Sequence, residues 1–135
     1  MIDHVGVSVS DLSVSKAFYE KALVPLGYAV QMEVSAELAG GRPAVGFGAE
    51  FPDFWIGEDG VPSVRSHIAL RAKTRGEVDA FYAAAIAAGG RDNGGPGLRP
   101  HYHESYYGAF VLDPDGHNVE AVCHAPGEPT DQAHF

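Results

Sequence analysis

The sequence predicts an α+β domain of two tandem βαβββ modules that form a cupped mixed β-sheet with helices on its outer face. Two observations lead to this prediction. Residues 3–9 resemble residues 66–72, and the same offset of 63 residues aligns the Ala-Phe-Tyr triplets at 17–19 and 80–82. In both copies an alternating apolar pattern precedes a helical one. The chain is therefore expected to contain one supersecondary unit twice.

The first strand of each module is predicted from alternation. Between residues 2 and 9, valines face one side, while small or polar residues beginning with His4 face the other. Residues 66–72 repeat the pattern, with His67 opposite the apolar face. Alternation of this kind is typical of a half-buried strand.

A helix is predicted after each of these strands. Asp11 and Thr74 are favourable N-cap residues, and Glu77 completes a capping box with Thr74. Glycines at 27 and 89 are expected to end the two helices.

Three short strands are predicted after each helix. The Asp-Pro-Asp-Gly sequence at 113–116 fits a type I turn between the last two. These features give a single domain over 1–124, made of modules 1–57 and 64–124, and a polar tail over 125–135. The predicted strands are 28–34, 43–48, 52–57, 97–102, 106–112 and 117–123.

The composition excludes several functional classes. The 135 residues are 45% hydrophobic and carry a formal net charge of −9, which argues against nucleic-acid and anionic-membrane partners. A single cysteine excludes an internal disulfide framework and cysteine-rich zinc modules. With no long apolar run and no visible signal peptide, a cytoplasmic location is expected.

His4 and His67 occupy equivalent positions in the two copies, on the faces that turn away from the apolar side chains. On the last strand, alternation places Glu120 on the corresponding face. Two imidazoles and one carboxylate suit a divalent first-row metal and leave positions open for a ligand. These three residues are the candidate metal ligands.

On these residues the chain resembles the vicinal oxygen chelate superfamily. The similarity lies in His4, His67 and the run Asp-Pro-Asp-Gly-His-Asn-Val-Glu at 113–120, and it covers residues 1–124. The superfamily includes glyoxalase I, extradiol ring-cleaving dioxygenases, fosfomycin-resistance transferases and bleomycin-resistance binding proteins. The resemblance implies a divalent ion (Fe, Mn, Zn or Ni) that binds a small substrate through adjacent oxygens.

The resemblance leaves the reaction open. Members similar to glyoxalase I have a fourth ligand in the first module. The residue 63 positions before Glu120 is Gly57, which has no ligating side chain, so only Glu58 remains for that role. Similarity to extradiol dioxygenases implies that His103 is the catalytic acid or base, although Ala109 and Phe110 depart from that pattern. A fosfomycin-resistance-like transferase and a metal-free, bleomycin-resistance-type binding protein are the alternatives.

The irregular stretch 89–108 is a candidate lid over the metal cavity. Its candidate substrate-binding residues are Tyr102, Tyr107 and Arg99. His117 is expected at the surface, and His124 is expected to have no role. Because each module has an exposed sheet edge, a homodimer is expected.

Overall fold

A computed structural model describes residues 1–38 and 40–127 and shows the predicted α+β architecture. A short 3-10 helix at Val24–Leu26 follows α1, and none of the helices in these residues is long and apolar enough to cross a membrane. The elements are β1 (Val5–Val9), α1 (Leu12–Ala22), β2 (Ala29–Val34), β3 (Ala44–Gly48), β4 (Phe54–Glu58), β5 (His67–Arg71), α2 (Arg75–Ala87), β6 (Arg91–Asp92), β7 (Gly97–Leu98), β8 (Tyr107–Leu112) and β9 (Asn118–Cys123).

The strands pair as two sheets, one in each module. The first has the order β1-β4-β3-β2, and the second has the order β5-β9-β8-β6, with β7 also paired to β8. In each sheet the first strand lies at an edge and runs parallel to the last strand of its own module. The second sheet therefore repeats the topology of the first.

The helix starts form as the sequence predicts. The Asp11 side chain accepts a hydrogen bond from the Val14 amide, and Thr74 Oγ1 accepts one from the Glu77 amide. Glu58 Oε2 accepts a further hydrogen bond from the Leu12 amide. Glu58 thus belongs to β4 and caps α1, whereas the sequence placed it in the connector.

The predicted strand 97–102 is wrong. Only Gly97–Leu98 pairs with β8, and the chain then folds back on itself. The Arg99 amide donates to the Tyr106 carbonyl at 2.7 Å, and the Tyr102 amide donates to the Arg99 carbonyl at 2.9 Å. These bonds make residues 99–106 an ordered turn, and we call this segment the aromatic loop.

One apolar core joins the two modules on the helix side of both sheets. The helices pack on each other and on the inward faces of the strands. At its centre, the Tyr19 ring lies edge-on to Phe18 at 4.9 Å and to Phe54 at 5.1 Å. The opposite face of each sheet, which carries His4 in module 1 and His67 in module 2, is called the histidine face below.

A buried polar cluster connects the modules at the 113–116 turn. Tyr19 Oη donates to Asp113 Oδ2 at 2.5 Å, across 94 positions of sequence. Asp113 Oδ1 accepts from the His117 amide at 2.8 Å. His117 Nδ1 accepts from the Ser66 amide, and His117 Nε2 donates to the Ser8 carbonyl.

The surface position predicted for His117 is therefore wrong, because only 1% of the residue is exposed. The ring joins Ser8 of β1 to Ser66, the residue directly before β5.

Candidate metal centre

The centre of the candidate site is a histidine–glutamate pair on the histidine face of module 2. In the register of the sheet, β9 lies between β5 and β8, so Glu120 has Ala69 on one side and Phe110 on the other. His67, at the start of β5, brings its Nε2 to 2.9 Å from Glu120 Oε1. Two of the three predicted ligands are thus adjacent.

Glu120 is a buried carboxylate whose one basic neighbour in the ion pairs of the described residues is the His67 imidazole. The residue is 1% exposed, and its neighbours are the His67 ring and the hydroxyl of Tyr106, which donates to Oε2. Gly108 permits this contact, since a Cβ there would lie 3.2 Å from the Tyr106 ring and 3.4 Å from Glu120 Oε2. A buried carboxylate requires compensation by hydrogen bonds or by a cation.

Tyr106 is held in its neutral form. Burial raises the pKa of its phenol well above the usual value, and the hydrogen bond and negative charge of Glu120 raise it further. The hydroxyl is therefore a proton donor at neutral pH and fixes the orientation of the carboxylate.

An open cavity of about 390 Å³ lies over this pair. Its walls are aromatic rings and imidazoles, and Glu120 is the one carboxylate in the lining. The Tyr102 and Tyr106 rings meet edge to face at 4.8 Å, and the His67 and Phe110 rings lie 6.3 Å apart. The full lining is His67, Tyr102, His103, Tyr106, Phe110, Glu120 and His124.

His103, the predicted acid or base, lies in the wall of this cavity as one of a histidine pair. Its Nδ1 accepts from the Ser105 amide at 3.1 Å, so Nε2 must carry the proton of the neutral ring. Nε2 lies 2.8 Å from Nδ1 of His124. His124 was not among the predicted site residues, because it directly follows the last strand, where alternation no longer applies.

The three predicted substrate-binding residues lie in different places. Tyr102 lines the cavity. The Arg99 guanidinium lies over the ring of Phe110, 5.4 Å from the ring centre, and is not part of the cavity lining. Tyr107 lies on the other face of β8, where its hydroxyl donates to Asp79 Oδ1 at 2.6 Å. The structure does not place Tyr107 with the cavity residues.

His4 stands apart from the pair. Its Nδ1 lies 2.6 Å from Asp3 Oδ1, and 59% of its side chain is exposed. Across residues 1–38 and 40–127, no three side chains of the His, Cys, Asp or Glu type are grouped closely enough to hold a metal ion. One chain therefore brings together His67 and Glu120, with His4 at the equivalent place in the other module.

The module 1 position that matches Glu120 is Trp55, not the predicted Gly57. Gly6, the counterpart of Ala69, is paired with Trp55, whereas Ala69 is paired with Glu120. The offset thus grows from 63 residues at the first strands to 65 at the last. Trp55 cannot bind a metal, and Glu58 holds the start of α1, so module 1 offers no carboxylate at this position.

The His67–Glu120 pair fits a metal ion in both chemistry and spacing. Imidazole nitrogen and carboxylate oxygen bind first-row divalent ions at roughly 2.0–2.2 Å. Two such donors at right angles around one ion stand about 3 Å apart, and the observed separation is 2.9 Å. A cation here would also neutralise the buried carboxylate.

Comparison with known proteins identifies the family of the chain. Residues 1–121 match the model of the Glyoxalase/Bleomycin resistance protein/Dioxygenase superfamily. The chain belongs to this superfamily. Its members include metal-dependent enzymes and metal-free binding proteins, so membership alone does not give the activity. No curated protein matches the chain.

Solved structures of superfamily proteins share the fold. A glyoxalase/bleomycin resistance protein from Albidiferax ferrireducens T118 is 30% identical, with a TM-score of 0.68 over 91% of this chain and 98% of the other. A hypothetical protein from S. aureus is 24% identical, with a TM-score of 0.61 over 87% and 92%. A glyoxalase I variant from Zea mays is 22% identical, with a TM-score of 0.69 over 97% of this chain and 47% of the maize chain. This chain therefore spans about half of the maize protein.

Proposed function

We propose that the protein is a metal-dependent enzyme that binds a small substrate through two adjacent oxygens, with dioxygenase-like chemistry. The observation that supports this most is the His67–Glu120 pair, two potential ligands 2.9 Å apart at the base of an aromatic cavity. Glu120 is buried there, with the His67 imidazole as its one basic neighbour in the ion pairs of the described residues.

His67 and Glu120 would hold the divalent ion together with His4, and Fe, Mn, Zn and Ni all suit this donor set. Such an ion supplies Lewis acidity toward the bound oxygens. A two-histidine, one-carboxylate set leaves open positions, as non-haem Fe(II) oxygenases require.

The remaining cavity residues have separate roles. The rings of Tyr102, Tyr106 and Phe110 exclude water and present faces to a flat substrate. The Tyr106 hydroxyl keeps Glu120 oriented. His103 holds a proton on Nε2 and can exchange it with His124 Nδ1 at 2.8 Å, which makes it the proton shuttle.

Trp55 favours dioxygenase-like over glyoxalase-like chemistry. The glyoxalase reaction moves a proton next to a carbonyl, and a carboxylate at the metal is its natural base. The position equivalent to Glu120 in module 1 carries Trp55 instead. Phe110 departs from the extradiol dioxygenase pattern and has no hydroxyl. The Tyr106 side chain supplies a phenol hydroxyl at Glu120 instead.

We also propose that the third ligand, His4, comes from the second chain of a homodimer. This arrangement is supported by the exposure of the His4 side chain and by the incomplete donor set in the part of one chain that the structure describes. Mixing two inactive variants, His4→Ala and Glu120→Gln, should then restore activity, because one site of the mixed dimer has all its ligands. With sites inside one chain, the mixture would stay inactive.

The function is tested by metal analysis of the purified protein and by oxygen uptake with catechols after Fe(II) loading. We expect one metal ion per chain and oxygen uptake that Glu120→Gln abolishes. Loss of hemithioacetal absorbance with Ni(II) or Zn(II), without oxygen uptake, would show a glyoxalase instead. A protein that stays metal-free after reconstitution would contradict the proposal and favour a binding protein.

A further inference from the structure

A second cavity, of about 380 Å³, lies at the start of α2 and is separate from the candidate metal centre. It is lined by one end of the helix and by the segment that follows β9. Its residues are Lys73, Thr74, Arg75, Gly76, Cys123, Ala125, Pro126 and Gly127. Two of them, Lys73 and Arg75, are cationic, and neither belongs to the ion pairs of the described residues.

Arg75 is the central feature of this cavity. The residue is only 8% exposed, yet its Nε and one terminal nitrogen, Nη1, have no hydrogen-bond partner. A Cβ on Gly127 would lie 2.3 Å from Nη1, so the guanidinium itself forms the wall beside that glycine. Burying these two donors without hydrogen bonds is costly, and an anion bound to the guanidinium would compensate the charge.

The guanidinium is held in position from behind. It lies over the Tyr107 ring, 5.2 Å from the ring centre, and the Tyr107 hydroxyl donates to Asp79 Oδ1 at 2.6 Å. This stacking fixes the plane of the guanidinium without using its hydrogen-bond donors. Tyr107 therefore positions Arg75 for a ligand on the cavity side.

The start of α2 adds a second source of positive potential. The Glu77 amide is bonded to Thr74 Oγ1, and the Val78 amide is bonded to the Thr74 carbonyl. Arg75 and Gly76, whose amides precede these in the first turn, both line the cavity. The Glu77 carboxylate opposes this potential, but it is bonded to the Lys73 amide through Oε1.

We propose that this cavity binds a small oxyanion, such as phosphate or a carboxylate, between the Arg75 guanidinium and the first turn of α2. The pairing of a guanidinium with a helix N-terminus suits the charge and the acceptor oxygens of such a ligand. Neither feature contacts the cavity at His67 and Glu120, so this site is independent of the metal.

The test uses the full chain and inorganic phosphate, at constant ionic strength with chloride as the balancing anion. We expect a saturable shift of the Arg75 Nε–H signal in proton–nitrogen correlation spectra and a rise in Tm. Acetate in place of phosphate distinguishes a preference for phosphate from one for carboxylate. Absence of a saturable shift with both anions would overturn the proposal.

Substitutions test whether Arg75 is the residue that binds phosphate. Arg75→Gln should weaken phosphate binding about tenfold or more, whereas Arg91→Gln, at an exposed arginine outside the cavity, should leave it unchanged. An equal rise in Tm for Arg75→Gln and the original protein would contradict the proposal. Should Arg75→Gln fail to fold, Lys73→Gln replaces it: weaker binding supports the site, and unchanged binding argues against it.

Discussion

The two modules have the same topology, but their histidine faces differ. Module 2 carries His67, the buried Glu120 and the Tyr106 hydroxyl around one point. Module 1 has His4 at the matching position, with 59% of its side chain exposed, and Trp55 where module 2 has Glu120. The comparison shows that a repeated backbone supports two different surfaces. Ionisable groups concentrate in one copy, and the other carries an exposed imidazole and a tryptophan at the matching positions.

The largest expected effect is on metal affinity, from substitutions at the equivalent positions Glu120 and Trp55. Glu120→Gln removes the charged ligand and should lower metal affinity about 100-fold or more. Trp55→Gln introduces the same side chain at the equivalent position of module 1 and should retain the metal. Metal content after dialysis, measured on both variants, checks this contrast. Equal loss in the two variants would mean that the modules contribute alike.

The next largest effect concerns the Tyr106 hydroxyl, which donates a hydrogen bond to Glu120. Tyr106→Phe keeps the ring but removes the donor, so kcat/KM should fall about 10- to 100-fold. Tyr102→Phe, in the same cavity wall, is the control and should stay near the original value. Catalysis that depends on the Tyr102 hydroxyl and not on the Tyr106 hydroxyl would contradict the role given to Tyr106.

The contact between the modules gives a third prediction. Tyr19→Phe leaves Asp113 Oδ2 without its buried donor and should lower the free energy of unfolding by about 1–3 kcal/mol. Tyr82→Phe removes an exposed bond to Asp92 and should cost about 0.5 kcal/mol or less. Chemical denaturation measures both. Equal costs would show that the buried cluster is not what joins the modules.

Tyr19 also predicts a pH dependence. Burial, and then the charge and hydrogen bond of Asp113, raise the pKa of this phenol well above its usual value. The folded state then keeps a proton that the unfolded state loses above pH ~10, so stability is complete below that pH and falls as the pH rises. Tyr19→Phe should show a smaller alkaline loss. An identical loss would assign the effect to other groups.

The smallest expected effect is at Glu58. Glu58→Gln weakens the bond to the Leu12 amide and should lower stability by about 0.3–1 kcal/mol, with metal content unchanged. Asp59→Asn, at the next residue, is the control for the loss of one surface charge. Loss of metal in Glu58→Gln alone would make Glu58 a fourth ligand.

Local patterns in the sequence were enough to predict most of the fold. Alternation and capping residues gave the first strands, both helix starts and the 113–116 turn, because these features depend on neighbouring residues. The ungapped offset failed at the last strand, where module 2 has two more residues between its first and last strands. Loops accept such insertions easily, so Trp55 could not be matched to Glu120 from the sequence.

The site could be predicted only in part, because its contacts join distant segments. Two of the three proposed ligands meet, as alternation suggested for each strand separately. The bridging role of His117 depends on Ser8 and Ser66, which lie in different modules. The alternation of side chains along a single strand does not reveal such a contact. His124 follows the last strand, and only the fold of the aromatic loop brings it to His103.

The most direct test of the central claim is metal-edge X-ray absorption of the Zn(II)-loaded protein. The proposed site predicts two imidazole nitrogens and one carboxylate per metal ion. His4→Ala should reduce the count to one imidazole, and His67→Ala should do the same. A spectrum with one imidazole in the unaltered protein, or one that His4→Ala leaves unchanged, would contradict a site shared by the two modules.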